Sequence, residues 1–322
     1  MSKQWILDDD AKTEPAHGCP PEQRTIEQML NASVILLDKP NGPSSHQLAA
    51  WAKELIGLEK MGHGGTLDPF ATGVLPLLLG KTMRLTGTML GHDKCYIAVL
   101  RFEEDPVMEN LASAVASLTG RIYNVPPEIS AVKVQVRTRT ISKFEIIDLE
   151  GKFAVVKIEC EAGTYVRTLA RDMGLLLGMK VELEELRRPY SGNFNENHCV
   201  TMDTIADAVW MWKTKSDETA LRKILLPIEE LVSDLPEIVV KDAAVGALSH
   251  GAPLAIPGVA RIDKSLNKGD LVRIMTLKGE VVAVAEMCIE SDSINNLESG
   301  EVAKSQSVLM EIDVYPRAWK ND

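Results

Sequence analysis

Two segments of the chain carry apolar residues at the spacing of amphipathic α-helices. One spans residues 166–177 and is followed by Gly178, a residue type that commonly ends a helix. Its apolar residues share one predicted face: Val166, Leu169, Ala170, Met173, Leu176 and Leu177. A second helix is predicted to begin at Ser44 or Ser45, either of which can cap its first turn. The apolar stripe predicted for it consists of Leu48, Ala49, Trp51, Ala52 and Leu55.

Apolar runs and alternating patterns predict β-strands in the same part of the chain. Strands are expected at residues 96–102 and 153–161. A further strand, at residues 132–143, has valines on one face and a largely basic second face: Lys133, Gln135, Arg137, Arg139 and Lys143. Both a solvated charged face and a phosphate-binding face are consistent with this pattern. The absence of interleaved acidic residues favours phosphate binding.

The pattern changes after Leu235-Pro236, which we predict to be a domain boundary. Helical patterns dominate residues 200–235, whereas residues 250–258 are rich in turn formers. Residues 271–277 and 281–287 then form a predicted strand pair. Short strands separated by glycine indicate a small β-barrel. We therefore divide the chain into an N-terminal extension that packs along the surface (1–31), a main domain (32–235) and a barrel domain (236–316).

Composition is ordinary for a globular protein, but the charge balance is acidic. Of the residues, 45% are hydrophobic and 25% are charged. A chain of 322 residues is long enough to form two hydrophobic cores. The first residues lack a signal peptide, and no apolar stretch approaches a membrane span. The five cysteines are scattered without a CxxC pair, which argues against a metal site and favours a reducing cytosol. Because the net charge is −11, phosphate binding requires a local basic surface, such as the strand predicted at residues 132–143.

The segment from His63 to Leu75 holds a single acid, Asp68, on a stiff loop. Glycines precede it and Pro69 follows it, so that neither a helix nor a strand can continue through this position. An Asp-Pro pair in a glycine-rich loop is also consistent with an ordinary surface turn. The function of Asp68 therefore depends on the motifs that accompany it.

This loop closely resembles the catalytic-aspartate motif of the TruB family of pseudouridine synthases. Five further motifs stand in the family's order within residues 32–200: Leu37-Asp38-Lys39-Pro40-Asn41-Gly42-Pro43-Ser44-Ser45, Lys94-Cys95-Tyr96, Pro126-Pro127-x-x-Ser130-Ala131-x-Lys133, Gly163-Thr164-Tyr165-Val166-Arg167 and Leu186-Arg187-Arg188. The C-terminal segment resembles a PUA domain, an RNA-binding module, through His250-Gly251-Ala252, Pro257-Gly258 and its strand pattern. The resemblance implies an α+β pseudouridine synthase fold with a mixed, largely antiparallel sheet, followed by a small β-barrel.

The family resemblance also implies the roles of individual residues. Arg167 falls in the first turn of a predicted helix, where the helix dipole disfavours a cation, so it is best explained as the partner of a nearby anion, Asp68. The implied catalytic residues are Asp68, Tyr96 and Arg167. The implied substrate-binding residues are His63, Lys39, Tyr165, Lys133 and Leu186. The implied RNA-binding residues are Arg137, Arg139, Arg187 and Arg188. No cofactor is needed, because isomerising uridine to pseudouridine involves no redox change.

Two modes of target recognition remain open at this point. The sequence after Lys133 and the PUA-like end resemble the archaeal dyskerin-type branch, whose members act in box H/ACA particles with a guide RNA and small accessory proteins. The alternative is a standalone enzyme that recognises the tRNA T-loop. A non-catalytic RNA-binding scaffold and a zinc-dependent tRNA-guanine transglycosylase are less consistent with the motifs. We expect RNA partners (tRNA, rRNA or guide RNA) and a cytoplasmic protein.

Overall fold

The computed structural model describes residues 3–126 and 135–316. The chain divides into two compact units. The first comprises Met1–Val34, Leu79–Leu85 and Leu225–Asp322, and the second comprises Ile35–Leu78 and Thr86–Ile224. The domain boundaries proposed above remain predictions. Each predicted domain is one continuous stretch of sequence, whereas each compact unit is assembled from several stretches.

Strands, helices and short 3-10 helices alternate through both units. The strands in the described residues are β1 (Gln4–Ile6), β2 (Ser33–Lys39), β3 (Met61–His63), β4 (Thr72–Leu79), β5 (Lys94–Phe102), β6 (Gly120–Asn124), β7 (Arg137–Glu150), β8 (Phe153–Cys160), β9 (Val181–Ser191), β10 (Phe194–Asn195), β11 (Leu226–Pro227), β12 (Glu237–Val240), β13 (Leu254–Ala255), β14 (Val259–Asp263), β15 (Leu271–Thr276), β16 (Val281–Met287) and β17 (Glu301–Val308). The α-helices are α1 (Ile26–Asn31), α2 (Ser45–Ile56), α3 (Thr86–Gly91), α4 (Met108–Ser117), α5 (Val166–Leu177), α6 (Met202–Lys215), α7 (Thr219–Ile224) and α8 (Asp242–Ser249). The 3-10 helices are Pro21–Gln23, Gly80–Leu85, Glu196–His198, Ile228–Val232, Ile256–Gly258 and Ser291–Asn296.

A mixed sheet forms the framework of the second unit. Its strand order is β2-β4-β9-β5-β8-β7-β6, with β3 beside β4 and β10 beside β9. The short β11 pairs with Ser33 and Val34, which belong to the first unit. The pairs made by β5, β7 and β8 are antiparallel, whereas β4 and β9 run parallel. Buried apolar side chains of β5 and β8 share one core cluster with those of α4 and α5. This arrangement confirms the predicted α+β class and the mixed, largely antiparallel sheet.

The two predicted helices have the expected positions, with corrections to their buried faces. Helix α5 spans the predicted residues, and Gly178 ends it in a left-handed conformation. Leu176 is exposed because it lies in the last turn, beyond Met173 and Gly174, which are the last buried residues of the helix. Ser44 caps α2, whose Trp51 is half exposed while Ile56 completes the buried face.

The prediction for the basic strand was partly wrong. Gln135 and Val136 are not in a strand, and β7 begins only at Arg137. It continues to Glu150, seven residues beyond the predicted end, because it pairs with β8 across a tight turn at Gly151. Residues 132–134 lie outside the described residues.

The first unit is built on a seven-stranded sheet with the order β1-β14-β12-β15-β16-β17-β13. The predicted pair β15 and β16 is confirmed as an antiparallel hairpin. The N-terminal extension contributes β1, which pairs with β14, and its Trp5 packs against the same core. A pairing between residues so distant in sequence has no local signal, so it could not be predicted from periodicity.

A glycine fixes the contact between β4 and β9 that supports the candidate site. Gly73 has φ +102°, and a Cβ there would lie 2.3 Å from the Arg188 carbonyl oxygen. Gly73→Ala should therefore lower the free energy of unfolding by roughly 2–4 kcal/mol, because both backbone conformation and packing oppose a side chain. Urea unfolding measures this loss.

Gly87→Ala is the matched control for that substitution. Gly87 lies in α3 with nothing within 4 Å of a Cβ, so alanine should be neutral or stabilise by up to about 1 kcal/mol. Equal unfolding midpoints for the two variants would contradict the close approach at Gly73.

Candidate active site

Five separate segments of the second unit line one cavity of about 320 Å³. They are the loop after β3, the end of α3, the beginning of β5, the turn that leads into α5, and the middle of β9. The lining residues are Gly65, Thr66, Leu67, Asp68, Leu90, Lys94, Tyr96, Gly163, Thr164, Tyr165, Val166, Arg167, Leu186 and Arg188. The cavity thus brings together six of the predicted site residues.

An ion pair joins the acid of the glycine-rich loop to the helix α5. Arg167 donates a hydrogen bond from Nη2 to Asp68 Oδ1 over 2.9 Å, across 99 positions of sequence. Each side chain is about 30% exposed. The carboxylate therefore has both a fixed cation and access to the cavity, so a ligand can reach it.

Buried polar groups hold the Asp68 loop in place. The Lys39 ammonium is fully buried and donates to the carbonyl oxygens of Pro40, Pro69 and Ala71 at 2.7–2.9 Å. The Ser45 hydroxyl bonds both the amide and the carbonyl of Leu67. These contacts correct the predicted role of Lys39, because an ammonium buried beneath the loop supports Asp68 and does not line the cavity.

A second set of bonds holds the turn that carries Tyr165 and Arg167. The buried Asn124 accepts from the Tyr165 amide at 2.9 Å and donates to its carbonyl. Thr168 donates from its hydroxyl to the Val125 carbonyl at 2.7 Å. The end of β6 therefore fixes the start of α5. Asn124 was not predicted as a site residue, and nothing in the sequence of β6, Gly120–Asn124, distinguishes it from an ordinary polar residue at the end of a strand.

Tyr96 and Leu186 form the apolar side of the cavity. Both are buried, on the neighbouring strands β5 and β9. Burial raises the pKa of the Tyr96 phenol, and the charge of Arg188 opposes part of that rise. A neutral aromatic ring beside a carboxylate is suited to stacking on a planar base.

The two arginines after Leu186 have different environments. Arg187 is half-buried and pairs with Asp38 and Glu196, whereas Arg188 is 1% exposed and lines the cavity. Because side chains alternate along a strand, Leu186 and Arg188 share one face of β9 and Arg187 takes the other. Both were predicted to bind RNA, and that role remains a prediction; the structure places Arg188 inside the cavity and not at the surface. Arg187 is held by two carboxylates, which compete with phosphate.

His63 precedes the loop and packs edge-on against His46, with ring centroids 4.6 Å apart. Burial, and then the charges of His46 and Arg188, lower the pKa of His63 to about 4. His63 is therefore neutral near pH 7. It does not line the cavity, and its proposed contact with substrate depends on hydrogen bonding or stacking and not on charge.

Two further predicted residues, Arg137 and Arg139, lie on β7. Arg137 is exposed at the start of the strand. Arg139 lies 3.6 Å from Glu161, and its guanidinium packs against Gly163 of the turn before α5. Lys133 lies outside the described residues. Their contacts with RNA remain predictions.

Lys94 is a cavity residue that the sequence analysis did not assign. It is buried and donates to the His92 carbonyl. Burial, together with the nearby charge of Arg188, lowers the pKa of Lys94 to about 8. Within residues 3–126 and 135–316, no group of three or more His, Cys, Asp or Glu could hold a metal ion. In the same residues, no helix has the length and apolarity needed to cross a membrane.

Comparisons with protein families agree with this site. The TruB family pseudouridylate synthase N-terminal domain matches residues 53–166, and the tRNA pseudouridylate synthase B C-terminal domain matches residues 167–233. A PUA domain matches residues 236–309, and a DKCLD domain matches residues 2–49. The boundary between the two TruB segments falls at Arg167, inside the site.

Similar proteins cover nearly the whole chain. Probable tRNA pseudouridine synthase B of Pyrobaculum calidifontis is 44% identical over 319 residues, covering 99% of this chain and 96% of that protein. The protein of that name from Pyrobaculum arsenaticum is 43% identical over 308 residues, covering 96% and 93%. The chain belongs to the TruB family of pseudouridine synthases. It is an RNA-modifying isomerase with a PUA domain, which confirms the family and fold inferred from the motifs.

Two solved structures resemble the chain over almost its full length. One is an H/ACA RNP bound to a substrate RNA containing 2'-deoxyuridine, with 38% identity and a TM-score of 0.90, covering 98% of this chain and 97% of that chain. The other is a Cbf5-Nop10-Gar1 complex, with 40% identity and a TM-score of 0.90, covering 98% and 96%. The dyskerin-type branch is therefore the structural class of this protein.

The buried histidine predicts a specific dependence of stability on pH. Unfolded His63 titrates near pH 6.5, whereas the folded form titrates near pH 4. Between these values only the unfolded state binds the proton, so the free energy of unfolding falls as the pH is lowered from 6.5 to 4. We expect His63→Gln to lose less stability than the wild type between pH 7 and pH 5, measured by urea unfolding.

His198→Gln serves as the control, since His198 is exposed. It should show the same loss as the wild type. An identical loss in all three proteins would mean that His63 is not a buried neutral group.

Proposed function

We propose that this enzyme isomerises uridines of RNA at the cavity that holds Asp68 and Arg167, with Asp68 as the reacting carboxylate. The observation that carries this assignment is the 2.9 Å ion pair at the cavity wall. Arg167 engages Oδ1, and within the described part of the chain Oδ2 has no hydrogen-bond partner. One oxygen is thus held while the other remains free to react.

The reaction breaks the bond from the ribose to N1 of uracil, rotates the base and joins the ribose to carbon 5. One proton leaves carbon 5 and one is gained at N1, so no atom or electron is supplied by a cofactor. Asp68 can serve as a nucleophile towards the nucleotide or as a base towards the ribose. Either role requires the ionised carboxylate, which Arg167 stabilises by charge.

The target base has to leave its stack before these groups can reach it. The cavity volume of about 320 Å³ lies in the range of small-ligand sites. We assign Tyr96 to stacking on the extruded uracil, with Leu186 and Tyr165 as the other walls. We assign the exposed Arg137 and the partly buried Arg139 to RNA phosphates outside the cavity, where basic side chains act by charge.

We infer that targets are selected through a guide RNA, with accessory proteins, in a box H/ACA particle that acts on rRNA and tRNA. The support is the likeness to the H/ACA RNP and the Cbf5-Nop10-Gar1 complex, together with the PUA and DKCLD segments. The net charge of −11 agrees, because basic partners can share the contact with phosphate. We also infer a cytoplasmic location.

An exposed apolar pair of the second unit is a candidate contact for a partner protein. Leu175 and Leu176, at the end of α5, are 76% and 53% exposed. We assign them to a partner contact, since apolar residues that cluster at a surface can mark interaction sites. The alternative is a standalone tRNA enzyme, which is favoured by the names of the curated relatives.

The catalytic role of Asp68 is tested by the isosteric substitution Asp68→Asn. We expect no detectable pseudouridine in single-turnover assays, because the amide cannot act as a carboxylate, while the unfolding midpoint and RNA affinity stay near the wild-type values. Asp105→Asn, at an exposed loop position, should keep full activity. Turnover by Asp68→Asn would exclude Asp68 as the reacting group.

The mode of target recognition is tested with the full-length chain. Pseudouridine formation is measured on a tRNA T-loop and on a guide–target pair, each with and without homologues of Nop10 and Gar1. We expect weak activity on tRNA alone and an increase of at least about tenfold on the guided substrate once partners are present. Full tRNA activity that partners do not change would establish the standalone alternative.

A further inference from the structure

Arg188 joins two parts of the cavity that are distant in sequence. Its Nε and Nη2 donate to the Val74 carbonyl at 2.9 and 2.7 Å, and Nη2 also donates to the Gly65 carbonyl at 3.1 Å. Tyr96 lines the same cavity, and the charge of Arg188 opposes the rise in the pKa of its phenol. One guanidinium therefore holds the start of the Asp68 loop and shares the cavity with the aromatic residue of β5.

The charge of Arg188 has no carboxylate partner within the described residues. Its hydrogen bonds reach two neutral carbonyls, although the side chain is only 1% exposed. Burying a cation without an anion opposes folding, so a hydrophobic residue would serve better if packing were the only requirement. The position of this cation indicates a role in the reaction.

The rigid geometry of the guanidinium explains why this residue is an arginine. A planar fork can bond several oxygens at fixed angles, whereas a lysine ammonium is a single flexible point of charge. The backbone of the same residue lies against Gly73 of β4, so the base of the side chain cannot shift. The backbone position of Arg188 is therefore fixed, and hydrogen bonds fix the guanidinium at the end of its side chain.

We propose that Arg188 is a positioning residue, which holds the Asp68 loop beside Tyr96 and so sets the distance between the carboxylate and the stacking ring. The proposal rests on the proposed roles of Asp68 and Tyr96. Errors of about 1 Å in such an arrangement can lower rates by roughly a hundredfold. Arg188 itself needs no contact with the base.

The first test is Arg188→Lys, which keeps the charge and removes the fork. We expect the single-turnover rate on guide–target RNA to fall roughly tenfold to hundredfold, while the Kd for RNA changes less than about threefold. Arg101→Lys is the control, because Arg101 lies on the same strand as Tyr96 but pairs with Glu182 and Glu184 at the surface. It should react at the wild-type rate.

The second test asks whether the effect of Arg188 passes through Tyr96. In a double-mutant cycle, Arg188→Lys should lower the rate less in the Tyr96→Phe protein than in the wild type, since the hydroxyl that its charge acts on is already absent. If Arg188→Lys lowers the rate by the same factor in both backgrounds, the proposed coupling between Arg188 and Tyr96 is wrong. A titration of the Tyr96 ring carbon by NMR gives a readout independent of activity: Arg188→Gln should raise the pKa of the phenol.

Each outcome separates the Arg188 role from the proposed function. A wild-type enzyme that is inactive on every RNA contradicts the proposed function, whereas an active wild type with an equally active Arg188→Lys contradicts only the positioning role. If Arg188→Lys fails to fold, backbone hydrogen exchange is measured instead in the wild type and in the Tyr96→Phe protein. Exchange at residues 64–68 should be faster in Tyr96→Phe, and unchanged exchange would overturn the link.

Discussion

The ion pair between Asp68 and Arg167 is the interaction on which the candidate site depends. Neither partner lies in a segment that would hold it alone, because Asp68 follows a glycine pair and Arg167 stands in the first turn of a helix. The fold supplies the constraint from both sides. Buried polar side chains fix the loop, and the end of β6 fixes the turn before α5. The sheet then brings the two within 2.9 Å.

The charged residues that line the cavity are mainly cations, whereas the chain as a whole is acidic. The protein carries a net charge of −11, yet among the described residues a single carboxylate, Asp68, lines the cavity with Arg167, Arg188 and Lys94. Local cations of this kind stabilise an ionised acid and attract an anionic substrate without changing the overall charge. The pKa of Lys94 is lowered first by burial and then by the nearby charge of Arg188.

Local patterns predicted those parts of the fold that depend on neighbours in sequence. The bounds of α5, the hairpin of β15 and β16, and the capped start of α2 all follow from periodicity and capping. The placement of β1 beside β14 and the burial of Lys39 were not predictable, because both depend on contacts between distant segments. Arg188 is an intermediate case. Once Leu186 is assigned to the cavity, strand alternation puts Arg188 on the same face, and this signal was present in the sequence.

The central claim is that Arg167 serves the internal carboxylate and not the RNA. Substitution of Arg167 by methionine keeps an unbranched apolar stem and removes the guanidinium, with its charge and its hydrogen-bond donors. The most direct measurement is the single-turnover rate of pseudouridine formation beside the Kd for the same RNA. We expect the rate to fall by roughly a hundredfold or more while the Kd stays within about threefold of the wild type. A Kd that rises in proportion to the loss of rate would contradict the account and make Arg167 a phosphate contact.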